Sequence, residues 1–407
     1  SVLMMSEAVS FYHSLSQREE SCGSYPIRKI FQQFYSEYLD SHTVTEVQHQ
    51  TACCIADCKT GALGYNISFC KECGHVSIHA CACNNRSCPN CQTPLEKKWV
   101  LARNSELIEG IAYYHLIFTV PFELENLIHA NQKLLYSLFF QCASNTVLTL
   151  CKDPKYMGAT PGIVSVLHSW GQQLNQHSHL HLMVSGGGLT SCGQFKETRH
   201  KGFIVPVRVM GKMFRGKFMD SLRKMWESGE LRFKGGCQDL RNHFYWKDFV
   251  NLLEKKQWLP FVKETFNGNG NAIEYLARYA YRTAISNSRI VSVNDKTVSF
   301  RYTDYKDQSR KKIKTVAGTE FIRLFLQHVL PKGFNRVRFS GFLTNCQKTK
   351  KLKQIHCLKN TVYKGNPVKD LSTAELMMLM YHKDICHCSK CNGEMIRLPR
   401  GIPLTIK

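Results

Sequence analysis

At 407 residues the chain exceeds what one ordinary hydrophobic core holds, so two or three domains are expected. Hydrophobic residues make up 43%, which excludes wholesale disorder. Lys plus Arg number 54 against 31 Asp plus Glu, a formal charge of +23 that suits a polyanionic partner, because each cation meeting a phosphate releases counterions. No uninterrupted apolar run reaches the roughly 18 residues of a membrane helix. The first residues carry Glu7, Glu19 and Glu20 instead of a basic-then-apolar leader. A cytoplasmic protein with no membrane partner is expected. In a reducing compartment 19 cysteines, an odd number, do not form a disulfide set, and metal is the better account of those that cluster.

The first region, residues 1–104, holds an aromatic helix-like segment (Ile30 to Leu39) and then a Cys/His tract from Cys53 to Cys91. Within it, Cys70-x2-Cys73 and Cys88-x2-Cys91 are knuckle spacings that can aim four thiolates at one tetrahedral Zn²⁺, with Gly74 and Pro89 as turn residues. Cys58 and Cys83 are expected to contribute, with His75, His79, Cys81, Cys53 and Cys54 in reserve. That inventory suffices for one or two zinc ions. All-thiolate ligation leaves no open position, so the zinc role is structural, and it supplies folding energy to a region otherwise poor in core. Lys71, Arg86, Lys97 and Lys98 border the tract and suggest a grip on DNA.

In the second region, residues 105–300, strand-like runs alternate with helical ones, which points to an α+β domain. Ala112–Pro121 is aromatic and β-branched, as are "IVSVLHSW" and "HLHLMVSGG", the last ended by Gly186 to Gly188. "LENLIHANQKLLYSLFFQCASNTVLTL" reads as one long helix. His179 and His181 alternate, so in a strand both imidazoles leave one face while Leu180 enters the core. Such a pair chelates a divalent cation. If "GQQLNQ" turns the chain back as a hairpin, His168 lies across from the pair and completes the site, with His177 and Gln172 as rivals. The plain alternative is satisfied histidines on a polar sheet face.

Tyr275 and Tyr279 stand four apart in a helix that Asn269 or Asn271 caps, flanked by Arg278 and Arg282 as phosphate holders. Two buried aromatics on an amphipathic helix would look the same. Beside a histidine-held cation, however, a phenolate can attack a phosphodiester, and two tyrosines allow two successive strand transfers.

The third region, residues 301–407, is basic, with runs at Arg310 to Lys314 and Lys348 to Lys353 suited to DNA backbone contacts. Between them "EFIRLFLQHVL" reads as a helix stopped by Pro331 and Gly333. Cys388-x2-Cys391, near Cys386, His382 and His387, makes half a zinc site, for which Cys346, His356 or Cys357 could serve as partners.

Together these segments resemble the HUH-type, two-tyrosine rolling-circle insertion-sequence transposases, the IS91-like family. "HSHLHLMVSGGGL" is similar to its HUH strand, "YLARY" to its nucleophile helix, and "CKECGH…CNNRSCPNCQ" to its zinc-binding domain. "YYHLIFTVP", "LHSWGQQL", "AISNSRI" and "FIRLFLQHVLPKGFNRVRFSGFL" look like further blocks, so the likeness runs in order over about residues 55 to 345. The resemblance implies an HUH domain with a central antiparallel sheet flanked by helices, preceded by the zinc-binding domain. It implies catalytic Mg²⁺ or Mn²⁺ on His179 and His181, with His168 at the third-ligand spacing of related relaxases, and nucleophiles Tyr275 and Tyr279 with Arg278 beside them. It also implies single-stranded DNA at transposon ends and target DNA as partners. Two departures are Ser178, where the family often has proline, and Ser87, where it often has histidine. A replication initiator or relaxase with the same chemistry, and a non-enzymatic zinc-dependent DNA-binding protein, are the alternatives.

Overall fold

Period-two alternation of apolar residues in the middle of the chain builds one sheet with two differently used faces. The computed structural model describes residues 25–199, 204–267 and 271–398. The chain opens with α1 (Pro26–Ser41) and α2 (Glu46–Asp57), the latter started by a capping box between Thr45 and Gln48. A hairpin of β1 (Tyr65–Cys70) and β2 (Val76–Ala80) leads to α3 (Gln92–Asn104). Next come β3 (Ala112–Thr119), α4 (Glu125–Ala130), α5 (Gln132–Lys152), β4 (Thr160–Trp170), β5 (Gln176–Leu189) and β6 (Phe195–Glu197). They are followed by α6 (Val207–Glu227), α7 (His243–Lys255), β7 (Phe261–Asn267) and α8 (Asn271–Ala280). The remainder supplies β8 (Ile290–Val293), β9 (Thr297–Asp304), β10 (Arg310–Ala317), α9 (Gly318–Leu326), β11 (Val337–Gly341), α10 (Lys348–Leu358), α11 (Thr373–Tyr381) and β12 (Met395–Arg397).

The central sheet has the order β11-β4-β5-β3-β7, with β6 added to β5, and its pairings are antiparallel. On one face Leu116 and Phe118 of β3, Ile163 and Leu167 of β4, and Leu180, Leu182 and Val184 of β5 join α5, α6 and α7 in the main core. On the other, Tyr113, Val164, Val166 and Met183 pack with Leu276 and Ala280 of α8 and Leu352 and Ile355 of α10. The alternation that buries Leu180 thus turns its neighbours His179 and His181 toward α8. A third core joins the two ends of the chain: Ile27, Ile30, Phe31 and Phe34 of α1 meet Val298 and Phe300 of β9 and Phe321 and Phe325 of α9. The zinc tract therefore does not rest on metal alone; its helices share an apolar core with α9.

Several expectations change in detail. The single long helix is two, α4 and α5, broken at Asn131 (φ −130°, ψ 37°), whose side-chain amide bonds the Leu127 and Arg232 carbonyls. α5 is long and apolar enough to cross a membrane by length and composition, but 67% of that apolar window is buried inside the fold, as suits a core helix. Gly186 to Gly188 do not end β5 but run inside it, because a Cβ at Gly188 would stand 2.3 Å from the Thr160 carbonyl oxygen and one at Gly186 2.7 Å from that of Ala112. α9 ends at Leu326, short of Pro331, and the chain goes on as tight turns in which the His328 N–H donates to the Phe325 carbonyl and the Val329 N–H to that of Leu326, while the Gln327 amide and the His328 Nε2–H both donate to the Leu174 carbonyl. Residues 268–270, which include the proposed cap Asn269, lie outside the described residues, and α8 begins at Asn271.

Phe214 of α6 is fully buried among the rings of Phe118, Phe139, Phe218 and Trp258. Phe214→Ala is expected to lower stability by about 3–5 kcal/mol through the cavity it leaves, read as a shifted urea midpoint by tryptophan fluorescence.

Candidate active site

The hairpin β4–β5 turns at Gly171–Asn175, where the Gly171 N–H donates to the Asn175 carbonyl at 2.9 Å and Leu174, in a left-handed conformation (φ 61°), anchors the turn by full burial. Its register sets His168 directly opposite His179. The result is a trio: one nitrogen from each of His168, His179 and His181, all within 4.8 Å of one another. The ring centroids are 4.8 Å (His168–His181), 4.9 Å (His179–His181) and 5.3 Å (His168–His179) apart. His177 is exposed and outside the trio, though its ring lies 5.1 Å from that of His179 and its carbonyl accepts from it; Gln172 points away, its amide toward the Tyr305 hydroxyl at 3.5 Å.

The far nitrogen of each imidazole is engaged. His168 Nε2–H donates to the Tyr279 carbonyl at 2.7 Å and His179 Nδ1–H to the His177 carbonyl at 2.9 Å, so each keeps a lone pair on its other nitrogen. His181 Nδ1 lies 2.9 Å from His115 Nε2, while His181 Nε2 is buried without a hydrogen-bond partner. Metal-binding histidines are held in this way, through the nitrogen that does not ligate. Burial also keeps the rings neutral. It drives His168 and His181 well below the usual histidine range, with the other imidazoles adding repulsion, and brings His179 to about 4. Three neutral imidazoles so placed could hold a cation, with positions left over for further ligands.

His115 of β3 was not singled out from the sequence. It is buried, stacks on His181 at 5.1 Å, and is brought to about 4 by burial and then by Lys263. A single histidine in the aromatic run "YYHLIF" carries no spacing signal; only the pairing of Ile117 with His181 across β3 and β5 brings it there. Trp170, stacked on His168 at 4.5 Å, was likewise missed.

α8 packs over this face. The Tyr279 ring lies 3.9 Å from that of His181 and 5.5 Å from that of His168, only partly buried, so it is not lost in the interior. Tyr275 is one turn earlier on α8; its side chain lies outside the described residues. The two arginines face differently. The Arg278 charge is felt by Glu96 of α3, whereas the Arg282 charge lowers the pKa of all three trio histidines, which places Arg282 at the site.

The cysteines also converge, but not as their spacing suggests. The knuckles Cys70/Cys73 and Cys88/Cys91 fall in different clusters. Cys58, Cys83, Cys88 and Cys91 form one cluster, with sulfur separations of 3.5 Å (Cys58–Cys91) and 3.6 Å (Cys83–Cys91). Four thiolates about 2.3 Å from a tetrahedral Zn²⁺ stand about 3.8 Å apart, so the donor set fits zinc. Cys70 and Cys73 instead meet Cys388 and Cys391; Cys346, His356 and Cys357 do not join them. Among the described residues Cys53, Cys54, Cys81, His75 and His79 are in neither cluster.

Of the four cations expected to grip DNA around this tract, three are otherwise engaged. Arg86 donates to the Leu330, Pro331 and Phe334 carbonyls, Lys71 pairs with Glu394 at 2.7 Å, and Lys97 donates to the Met380 carbonyl. In the two basic runs, Lys312 bridges Asp304 and Asp307, and Lys348 pairs with Glu106 at 2.7 Å. Ser178 is the other surprise: fully buried, it donates its N–H and its hydroxyl to the buried Glu125 carboxylate. A proline there could not make the first of those bonds.

Comparisons with known proteins give the chain its family. A family model described as "Putative transposase" matches residues 162–351, and one described as "Transposase zinc-binding domain" matches residues 30–120. A "Putative transposase" of Sinorhizobium fredii is 38% identical, covering 81% of this chain and 82% of its own length. The "Transposase for insertion sequence element IS801" of Pseudomonas savastanoi pv. phaseolicola is 25% identical over 94% of this chain and 91% of its own. No solved structure matches. The two family models and the relative at 38% identity define a transposase preceded by a zinc-binding domain. Within that class, the chain belongs to the IS91-like insertion-sequence transposases.

His115 positions His181 without joining the trio. His115→Ala is expected to weaken Mn²⁺ binding by about 10–100-fold, with zinc content unchanged, in a titration followed by electron paramagnetic resonance. Unaltered Mn²⁺ affinity would remove His115 from the site.

Proposed function

We propose that the chain moves DNA by nicking and rejoining single strands, through a 5′-phosphotyrosine on Tyr279. The observation that carries this reading is the Tyr279 ring stacked 3.9 Å from His181, on a helix that lies over three converging neutral imidazoles. His168, His179 and His181 would hold Mn²⁺ or Mg²⁺; nitrogen donors favour the softer Mn²⁺. When bound, that ion supplies Lewis-acid polarisation of the scissile phosphate and stabilises charge on the departing oxygen. The chain's own groups do the rest. The Tyr279 phenol oxygen forms a bond to phosphorus as the bond from phosphorus to the 3′ oxygen breaks. The phenol loses its proton, the 3′ oxygen gains one, and a free 3′-hydroxyl is left to prime synthesis.

Arg282, with Arg278 one turn earlier, is proposed to hold the strand's phosphates. Tyr275, one turn before Tyr279, is proposed as the second nucleophile, which lets a second strand transfer proceed before the first end is released. The partners are single-stranded DNA at the element's ends and target DNA, drawn in by the charge of +23. The division at residues 104/105 and 300/301 belongs to this proposal as a division of labour: zinc-stabilised entry, catalysis, and basic support. Replication initiation with the same chemistry is disfavoured by the zinc-binding domain and the transposase relatives. A purely DNA-binding role leaves the convergence of Tyr279 with the trio without a purpose.

Incubation with a labelled single-stranded oligonucleotide of the element's end and Mn²⁺ is expected to give a denaturation-resistant protein–DNA adduct. Replacing both Tyr275 and Tyr279 by Phe should abolish it, and His181→Ala should cut its rate at least about 100-fold. An adduct that survives the double replacement would end the assignment.

A further inference from the structure

We propose that Cys70, Cys73, Cys388 and Cys391 hold a second Zn²⁺ that clasps the C-terminal segment onto the N-terminal hairpin, and so braces the helix against which the tyrosine helix packs. The two cysteine pairs are about 315 residues apart in sequence, as the Cys73–Cys388 contact shows. Their sulfurs nevertheless lie 3.4 Å (Cys70–Cys391) and 3.7 Å (Cys73–Cys388) apart, with all four within 4.8 Å. Those separations are far beyond a disulfide's ~2.05 Å. They approach the ~3.8 Å edge of a tetrahedral zinc–thiolate site.

Each pair sits on a turn built for ligation. In the first, the Cys70 N–H donates to the His75 carbonyl at 2.8 Å and the Gly74 N–H to the Cys70 carbonyl at 3.1 Å, with Gly74 at φ +69°. In the second, the Cys388 N–H donates to the Gly393 carbonyl at 2.8 Å and the Asn392 N–H to the Cys388 carbonyl at 2.9 Å, with Asn392 at φ 60°. Backbone amides also point at sulfur: the Lys390 N–H toward Cys388 Sγ and the Gly393 N–H toward Cys391 Sγ, each at 3.4 Å. Amides aimed at sulfur favour the thiolate, the form that binds metal.

The rest of the docking is too slight to hold the segment by itself. β12 adds to β1 over only three residue pairs, Ser68↔Arg397, Phe69↔Ile396 and Cys70↔Met395, and the polar contacts beside them, the Lys71–Glu394 ion pair and the Arg397–Asn66 hydrogen bond, are solvent-exposed and worth little. α11 buries none of its residues fully, and its Met378 and Leu379 are exposed. Its tie to α3 is Lys97, which donates to the Met380 carbonyl at 3.3 Å and lies 4.1 Å from the centre of the Tyr381 ring. With so little apolar surface covered, the attachment depends on the four sulfurs and what they hold. α3 in turn packs on α8: Trp99 meets Tyr281 at 6.1 Å, just past Tyr279. A contiguous path thus runs from the cysteine clasp through α11 and α3 to the tyrosine helix.

The test needs no DNA cleavage, so its outcome is separate from that of the nicking reaction. The full chain is expected to contain two zinc ions, and Cys388→Ser/Cys391→Ser only one, by plasma mass spectrometry. Hydrogen exchange should then speed up in β12, α11 and α3, and in α8 to a lesser degree, while α1, α2 and α5 keep their protection. Mild chelation of the wild-type chain should reproduce that pattern, and added Zn²⁺ should reverse it, which covers the case in which the variant misfolds. Two zinc ions retained by the variant, or unchanged exchange after the second ion is removed, would overturn the proposal.

Discussion

The structure turns on the alternation of one strand. Burying Leu180, Leu182 and Val184 against α5 and α6 forces His179 and His181 out of the opposite face, and the antiparallel register of β4 and β3 adds His168 and His115 there. A slip of one residue would put the imidazoles into the apolar core and the leucines under α8, so the core and the site are specified by the same pairing. The buried faces make the imidazoles neutral, and neighbouring carbonyls fix which nitrogen of His168 and His179 keeps its lone pair. Stability and chemistry are thus set by one register.

That register is held at both ends. At the turn, Leu174 is buried in the core shared by α1 and α9, and its carbonyl accepts from Gln327 and His328. At the start of β5, Ser178 lies on the same face as Leu180, is fully buried, and is tied twice to Glu125 of α4. Burial raises the Glu125 pKa while the Ser178 bonds lower it, so the carboxylate depends on that serine for its hydrogen bonds. Elements far apart in sequence therefore converge on a few strand residues, and α3, α8 and α10 lie around the histidine face.

Much of this was legible because it is local. The His-x-His alternation, the turn that brings His168 back, and the four-residue spacing of the tyrosines are all fixed by the periods of strand and helix. What escaped is non-local. His115 is one histidine among aromatics until β3 pairs with β5. The cysteine partnerships depend on β12 joining β1, and knuckle spacing cannot say which pairs meet. Arg86 read as a DNA contact because its charge is visible in sequence and the three carbonyls that absorb it are not. The glycine run read as a stop because glycine is common at both strand ends and close backbone approaches, and only packing tells them apart.

Nitrogen-14 electron spin echo modulation of Mn²⁺ bound to the zinc-loaded chain reads the histidine trio most directly. Coupling to several imidazole nitrogens is expected, reduced when either His168 or His179 is replaced by alanine. Manganese bound through oxygen ligands alone, with no imidazole coupling, would contradict it.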